Sequence, residues 1–198
     1  MTSPATTLHR GEFQNEPFID FTKPENRKTI EDALAQVKGM LGREYPLVIA
    51  GEKITTTEKI KSYNPAQPDQ VIGIFQKATV EMANQAVEAA DRAFDKWKRV
   101  PAEERVACVY RAADILRKRK FELEAWLCLE IGKTWPEADA DIAELIDFCE
   151  FYGREALRLA GPQKLHPMRG EKNYLKYIPL GVGVIIPPWT FAASKKSS

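Results

Sequence analysis

The sequence predicts an α/β protein that is mostly helical, with short antiparallel strands and the first strand of a parallel sheet near its end. A helical pattern of apolar residues extends with few breaks over 79–161. Short extended pieces separated by turn residues occupy 45–78. Val184, Ile185 and Ile186 form an apolar run typical of a strand buried on both faces, as in parallel sheets.

Composition and charge are those of an ordinary globular protein. The 198 residues are 44% apolar and 29% charged, and 29 basic against 28 acidic side chains leave a net charge of +1. Such a chain has no global field to gather nucleic acid or anionic lipid. The dense basic run 117–120 is flanked by glutamates, so we interpret it as a solvated helix end in preference to a nucleic-acid patch.

The chain offers no membrane segment and no metal ligands in a recognisable pattern. No apolar run approaches the length of about 18 residues that a membrane span requires, which predicts a cytoplasmic protein. Cys108, Cys128 and Cys149 are widely spaced within helical stretches, so we interpret them as reduced core cysteines. Neither His9 nor His166 lies near a cysteine in the sequence, and we predict no metal site.

Several helix ends can be predicted from single residues. Residues 1–21 show no period and are predicted to be an arm that lies on another part of the protein or is partly disordered. Pro24 suits the first turn of a helix, and Thr79 is a candidate N-cap of the next. Pro101 begins another helix, which 121–130 continue up to a C-cap at Gly132. Pro136 then begins a long helix that ends at Gly161.

The segment 179–191 carries a family resemblance. Its sequence, Pro-Leu-Gly-Val-Gly-Val-Ile-Ile-Pro-Pro-Trp-Thr-Phe, resembles the stretch of aldehyde dehydrogenases in which a buried strand runs into a Pro-Trp-Asn-Phe turn. The segments 63–65, 130–135 and 140–148 resemble family segments in the same order. The resemblance extends from about residue 13 to residue 189, and it implies the N-terminal part of an aldehyde dehydrogenase fold.

Three further segments narrow the resemblance to one subgroup. Residues 15–17, 45–47 and 146–148 look most like the bacterial 1-pyrroline-5-carboxylate dehydrogenases. The resemblance implies oxidation of glutamate γ-semialdehyde to glutamate with NAD, in proline breakdown. In this family a cysteine thiolate attacks the aldehyde, hydride passes to the nicotinamide, and a glutamate helps water to hydrolyse the thioester. Both residues belong to family sequence that would follow residue 198, so a truncated, inactive fragment is expected.

The resemblance also assigns cofactor and catalytic positions. It places the turn that lies along NAD at Ile186, Pro187, Pro188 and Trp189, although Trp189 could instead be a core tryptophan. Thr190 stands where the family has an asparagine whose amide donates to the developing oxyanion. A threonine hydroxyl cannot copy that donor at the same reach.

Two residues are assigned to the substrate. Phe191 matches an aromatic that borders the aldehyde tunnel. Glu144 matches a helix carboxylate near the substrate mouth, and a plain solvated helix position is the alternative. The family pattern fails over 192–198, which is interpreted as an aberrant polar tail. Gly181 and Gly183 do not make a dinucleotide fingerprint, because they precede the strand and the third glycine is missing.

These assignments divide the chain and leave a second function open. We expect the arm at 1–21, a helical and short-strand portion of the NAD-binding domain at 22–161, an oligomerisation hairpin at 162–179, and the cofactor strand and turn at 180–191. The alternative to a dehydrogenase fragment is a non-catalytic helical module that assembles with full-length subunits. The expected partners are a small-molecule aldehyde substrate in the complete enzyme, and either copies of the same chain or full-length subunits.

Overall fold

The computed structural model describes residue 8 and residues 10–186. Within that range the elements are, in chain order, α1 (Pro24–Lys38), β1 (Arg43–Tyr45), β2 (Leu47–Ile49), β3 (Glu52–Ile54), β4 (Lys59–Asn64), β5 (Gln67–Gln76), α2 (Val80–Trp97), α3 (Ala102–Lys118), α4 (Lys120–Ile131) and α5 (Trp135–Ala160). None of the helices described is both long enough and apolar enough to cross a membrane.

The predicted helix ends are confirmed because each depends on local chemistry. The Thr79 hydroxyl accepts a hydrogen bond from the Met82 amide at the start of α2. Gly132 ends α4 with a left-handed φ of 73°. Pro136 lies in the first turn of α5, where Glu137 accepts from the Thr134 amide at 3.0 Å. One difference is that α3 and α4 are separate helices, divided at Arg119.

The strands form a three-stranded sheet and a hairpin. The three-stranded sheet has the order β1-β5-β4, with β4 and β5 antiparallel, and β2 and β3 form an antiparallel pair. The prediction of antiparallel strands alone was wrong for β1, which pairs with β5 in parallel. A parallel pair needs a long crossover, and here the connection contains β2, β3 and β4.

Two apolar clusters form the core of the described part of the chain, and α4 contributes to both. Ile30 and Val37 of α1 pack with Ile72 of β5 and with residues of α4. The second cluster joins α4 to α3 and α5 and includes Ile142 and Ile146 of α5. The helix α4 is therefore buried on both sides, which explains why even polar residues of α4 are shielded from water.

The residues after α5 depart from prediction. No strand forms over 162–186, so the predicted hairpin at 162–179 and the predicted strand at Val184, Ile185 and Ile186 are absent from this structure. The physical reason is that a strand needs a neighbour for its backbone hydrogen bonds, and no described segment pairs with these residues. Their apolar side chains are consequently exposed.

Two interpretations of charged and sulfur-containing residues need correction. Residues 117–120 are not a uniformly solvated helix end, because Lys120 is buried and pairs with Asp139, and Arg117 pairs with Glu16. Cys108 is not a core residue but is exposed, whereas Cys128 and Cys149 are half-buried. Helical geometry explains the exposure of Cys108, because this residue points away from the face of α3 that buries Val106, Tyr110 and Ala113.

Candidate functional site

Only two of the predicted site residues belong to the part of the chain that the structure describes. Glu144 lies on α5 and is exposed, and Ile186 is 87% exposed in the irregular segment after α5. The other predicted site residues lie outside the described range: Pro187, Pro188 and Trp189 for NAD, Thr190 for the oxyanion, and Phe191 for the aldehyde. The geometry of the candidate site is therefore that of α5 and its surroundings.

Glu144 belongs to an exposed row along α5. Phe148 and Tyr152 follow it at intervals of four residues, so the three side chains share one side of the helix. The opposite side is buried, since Ile142 and Ile146 pack in the core. This division fixes the rotation of α5 and turns the carboxylate and the aromatic rings away from the core.

An aromatic cluster extends from this row. The Phe148 and Tyr152 ring centroids are 5.8 Å apart, and Phe151 meets Tyr152 edge-on at 5.4 Å. The Phe13 ring of the N-terminal arm lies 5.5 Å from that of Phe151. Because these α5 rings remain 43–60% exposed, they form an open apolar wall beside Glu144 that a small organic molecule or another chain segment can cover.

Asp147 of α5 holds part of the arm beside this wall. The Asp147 carboxylate accepts from the Asn15 side-chain amide and from the Glu16 backbone amide, each at 2.7 Å. Asp147 lies between Glu144 and Phe148 in the sequence of α5. The arm thus contributes to the shape of the surface on which the candidate substrate residues lie.

A network of ion pairs anchors the beginning of the arm. Arg10 donates to Asp114 of α3 at 2.7 Å and to Glu150 of α5 at 2.6 Å, and its guanidinium stacks on the Tyr110 ring at 4.5 Å. Burial by itself would raise the pKa of Glu150, but hydrogen bonds from Arg117 and Arg154 and the charge of Arg10 hold that pKa below its ordinary value. The network therefore keeps Glu150 ionised and ties α3, α5 and the arm together.

The three cysteines do not have the surroundings of a nucleophile. Burial raises the pKa of Cys128 to about 11, and burial also raises the pKa of Cys149. Cys108 lies on the exposed surface of α3, where its thiol donates to the Glu104 carbonyl. A thiol that holds its proton at neutral pH is a poor attacking group, so the surroundings of Cys128 and Cys149 do not favour a nucleophile.

Sequence reasoning missed two features of this region. The first is the aromatic surface of α5, which the spacing of Phe148, Phe151 and Tyr152 on one long helix already signals. The second is an apolar cavity of about 760 Å³ between the strands and α3 and α4, lined in part by Tyr45, Leu47, Phe75, Ile115, Leu123 and Trp126. No local pattern signals that cavity, because its walls come from distant parts of the chain.

Comparison with known proteins adds a family and a group of relatives. Residues 53–195 match the profile of the Aldehyde dehydrogenase family. The chain is 48% identical over 180 residues to 1-pyrroline-5-carboxylate dehydrogenase 1 of Halalkalibacterium halodurans, covering 91% of this chain and 35% of that protein. It is 50% identical over 179 residues to the 1-pyrroline-5-carboxylate dehydrogenase of Geobacillus thermodenitrificans, covering 90% of this chain and 35% of the relative.

Solved structures of 1-pyrroline-5-carboxylate dehydrogenases are also similar to this chain. A variant of Thermus thermophilus 1-pyrroline-5-carboxylate dehydrogenase is similar with a TM-score of 0.87 and 47% identity, over 91% of this chain and 35% of that one. A Thermus 1-pyrroline-5-carboxylate dehydrogenase with bound NAD is similar with a TM-score of 0.86 and 46% identity, again over 91% and 35%. The chain thus spans about a third of the length of the relatives that it matches.

Proposed function

The chain belongs to the aldehyde dehydrogenase family, and from that premise we propose that the protein it builds oxidises L-glutamate γ-semialdehyde to L-glutamate with NAD. The substrate is the open form of 1-pyrroline-5-carboxylate, and the reaction completes proline degradation. The observation that carries the proposal is the likeness, over nine-tenths of this chain, to relatives named 1-pyrroline-5-carboxylate dehydrogenase.

In this proposal, the exposed row on α5 serves the substrate. Glutamate γ-semialdehyde carries an ammonium group and a carboxylate at one end and the reacting aldehyde at the other. The Glu144 carboxylate attracts the ammonium group electrostatically, and the rings of Phe148 and Tyr152 provide apolar surface beside it. Phe191, which lies outside the described residues, borders the aldehyde in the role that the family resemblance assigns to it.

The segment after α5 serves the cofactor. NAD supplies the hydride acceptor when it is bound. Ile186, Pro187, Pro188 and Trp189 hold its nicotinamide ribose through backbone carbonyls and an aromatic wall, in the role that the family resemblance assigns to them. Ile186 is exposed and unpaired by any strand, so its backbone is accessible to a ligand. Thr190 offers a hydroxyl to the developing oxyanion, which is a weaker arrangement than the family's amide.

In this proposal, none of the described cysteines is the nucleophile. Burial raises the pKa of both Cys128 and Cys149, and Cys108 is exposed on the surface of α3. We therefore propose that the attacking thiolate and the hydrolytic carboxylate come from the two-thirds of the relatives' length that this chain does not span. The 198 residues alone are expected to be inactive.

A second candidate function follows from the exposed apolar surface. The helix α2 has no buried residue, and Val80, Val87 and Trp97 are exposed along it. Tyr174, Leu180 and Ile185 are exposed in the irregular segment. Surface of this kind is typical of a protein interface, so the chain could instead act as a non-catalytic module that assembles with full-length dehydrogenase subunits.

The experiment combines this chain with the missing part of a relative. Residues of the Halalkalibacterium halodurans enzyme that follow its matched region are co-expressed with the 198-residue chain, and NADH formation is followed with glutamate γ-semialdehyde. We expect turnover from the pair and none from the chain alone. A stable pair that forms no NADH would refute the dehydrogenase proposal, and turnover by the chain alone would refute its dependence on the missing part.

The same material tests the assembly module. The chain is mixed with the intact relative, and the complex is sought by size-exclusion chromatography. Trp97→Lys should abolish co-elution if α2 is the interface, whereas Lys96→Gln, at an exposed neighbouring position, should not. Independence of co-elution from Trp97 would contradict the role of α2.

A further inference from the structure

Three polar side chains form a buried cluster beneath the N-terminal arm. Glu124 of α4 is 0% exposed, Asp139 of α5 is 1% exposed, and Lys120 of α4 is 7% exposed. Two potential negative charges therefore share one positive charge in a place that water does not reach. Burying an unpaired charge is costly, so the protonation state of the cluster matters to the fold.

Two members of this cluster hold the arm directly. The Lys120 ammonium lies 2.7 Å from Asp139 Oδ1 and donates to the Pro17 carbonyl at 3.1 Å. Asp139 Oδ2 accepts from the Ile19 backbone amide at 2.8 Å. The arm at 17–19 is therefore bound by one ammonium and one carboxylate, both of which also face Glu124.

Three carboxylate oxygens of the cluster lack a hydrogen-bond donor. Neither Glu124 Oε1 nor Glu124 Oε2 accepts a hydrogen bond, and Asp139 Oδ1 lies close to the Lys120 ammonium without the geometry of a hydrogen bond. One proton on Glu124, donated to Asp139 Oδ1, would place a hydrogen bond between the two carboxyl groups and leave one Glu124 oxygen without a donor. Two adjacent buried carboxylates that share a proton are a known solution to like-charge repulsion.

We propose that Glu124 holds a proton at neutral pH, which it donates in a hydrogen bond to Asp139, and that this proton acts as a latch for the N-terminal arm. Lys120 and Glu124 are four residues apart on α4, so they lie on the same side of the helix. When Glu124 loses the proton, its new negative charge draws the Lys120 ammonium away from the Pro17 carbonyl. The arm then loses a hydrogen bond, and its contacts beside the aromatic wall, including Phe13 with Phe151, are weakened.

The electrostatics of the cluster agree with this geometry. Burial, and then the charge of Asp139, raise the pKa of Glu124 to about 8, against the opposing effect of Lys120. Cys128 is the other titratable group that interacts with Glu124 among the described residues. The elements α1, α3 and β4 also pack on α4, but none of their described charged groups contributes to the shift in the pKa of Glu124.

The sign of the pH effect follows from the direction of this shift. The folded chain binds the proton more tightly than the unfolded chain, in which Glu124 has its ordinary pKa of 4.5. The stability due to Glu124 is therefore complete below the unfolded value, and it falls as pH rises toward the folded value of about 8. Each pH unit in this window raises the unfolding equilibrium constant by up to about tenfold.

The test compares Glu124→Gln with Glu122→Gln in the full 198-residue chain. The glutamine amide at position 124 can donate to Asp139 as the protonated acid does, but it cannot titrate. Glu122 is a matched control on the same helix, because its carboxylate pairs with Arg119 at the surface. Urea unfolding is measured across the pH window, and hydrogen exchange of residues 10–21, corrected for the intrinsic pH dependence of exchange, reports on the arm.

As pH rises, we expect the wild type and E122Q to lose stability and their arms to lose protection from hydrogen exchange. E124Q should lose less of both, and its unfolding equilibrium constant should rise less than that of the wild type by up to about tenfold for each pH unit. Parallel profiles for wild type and E124Q would overturn the proposal. Infrared spectroscopy of the wild type tests the protonation of Glu124 even if E124Q does not fold. A protonated-carboxyl band should be present near pH 6 and disappear above the pKa of about 8, and its absence near pH 6 would also overturn the proposal.

Discussion

Gly153 of α5 lies against the ring of Tyr110 of α3 so closely that a Cβ atom at position 153 would be 2.4 Å from Tyr110 Cε1. Tyr110 is completely buried, and its ring also carries the Arg10 guanidinium. The contact between these two residues thus joins the packing of α3 on α5 to the docking of the arm.

Gly153→Ala should therefore destabilise the protein, although alanine favours a helix. The added methyl group has no space unless Tyr110 or the helix moves, and overpacking of this kind costs about 1–3 kcal/mol. Gly161→Ala is the matched control, because a Cβ there would meet its nearest atom at 3.5 Å, an ordinary contact. Urea unfolding measures both, and an equal stability of G153A and G161A would contradict the close packing.

Arg10→Met tests the anchor of the arm. The substitution keeps an apolar side chain near Tyr110 but removes the hydrogen bonds to Asp114 and Glu150, and the loss of charged hydrogen bonds costs about 1–3 kcal/mol. We expect a lower free energy of unfolding and faster hydrogen exchange in residues 10–21. Arg158→Met, which removes an exposed pair with Glu155, should change neither quantity, because exposed ion pairs contribute little.

How much of this structure could be predicted from sequence depends on the range of the interaction. Thr79, Gly132 and Pro136 identify helix ends correctly because caps and first turns involve only neighbours in the chain. Lys120 looked solvated because nothing local reveals that Asp139 and the Pro17 carbonyl come to meet it. The apolar run at 184–186 has strand character, but a strand forms only where a partner strand is available.

In the candidate site, too, local features could be predicted from the sequence and long-range contacts could not. Glu144 could be proposed from its segment, and its exposed position on α5 is compatible with a substrate role. The arrangement of Phe13 against Phe151 could not be proposed, since the two residues are 138 positions apart in the chain. Family resemblance assigns roles to single positions, whereas the surface that surrounds them arises from long-range packing.

Glu144→Gln tests the substrate role in the co-expressed, complemented enzyme. The amide keeps the size of the side chain and removes the charge that attracts the substrate ammonium group. We expect KM for glutamate γ-semialdehyde to rise about fivefold, equivalent to about 1 kcal/mol, with kcat nearly unchanged. Glu155→Gln, also on α5 but paired with Arg158, should leave both constants as they are. An unchanged KM in E144Q would assign Glu144 to a solvated helix surface.

Thr190→Asn tests the oxyanion position in the same complemented enzyme. Asparagine places an amide N–H donor where the threonine hydroxyl is too short, and one such donor is worth about 2.7–4 kcal/mol in the transition state. We expect kcat to rise by about 10²–10³ with a smaller change in KM, because the interaction strengthens only as negative charge develops on the oxygen. Thr190→Val, which removes the hydroxyl and keeps the shape, should lower kcat below that of the unsubstituted enzyme. If T190N and T190V have the same kcat, the side chain at 190 does not contact the oxyanion and Thr190 has no part in catalysis.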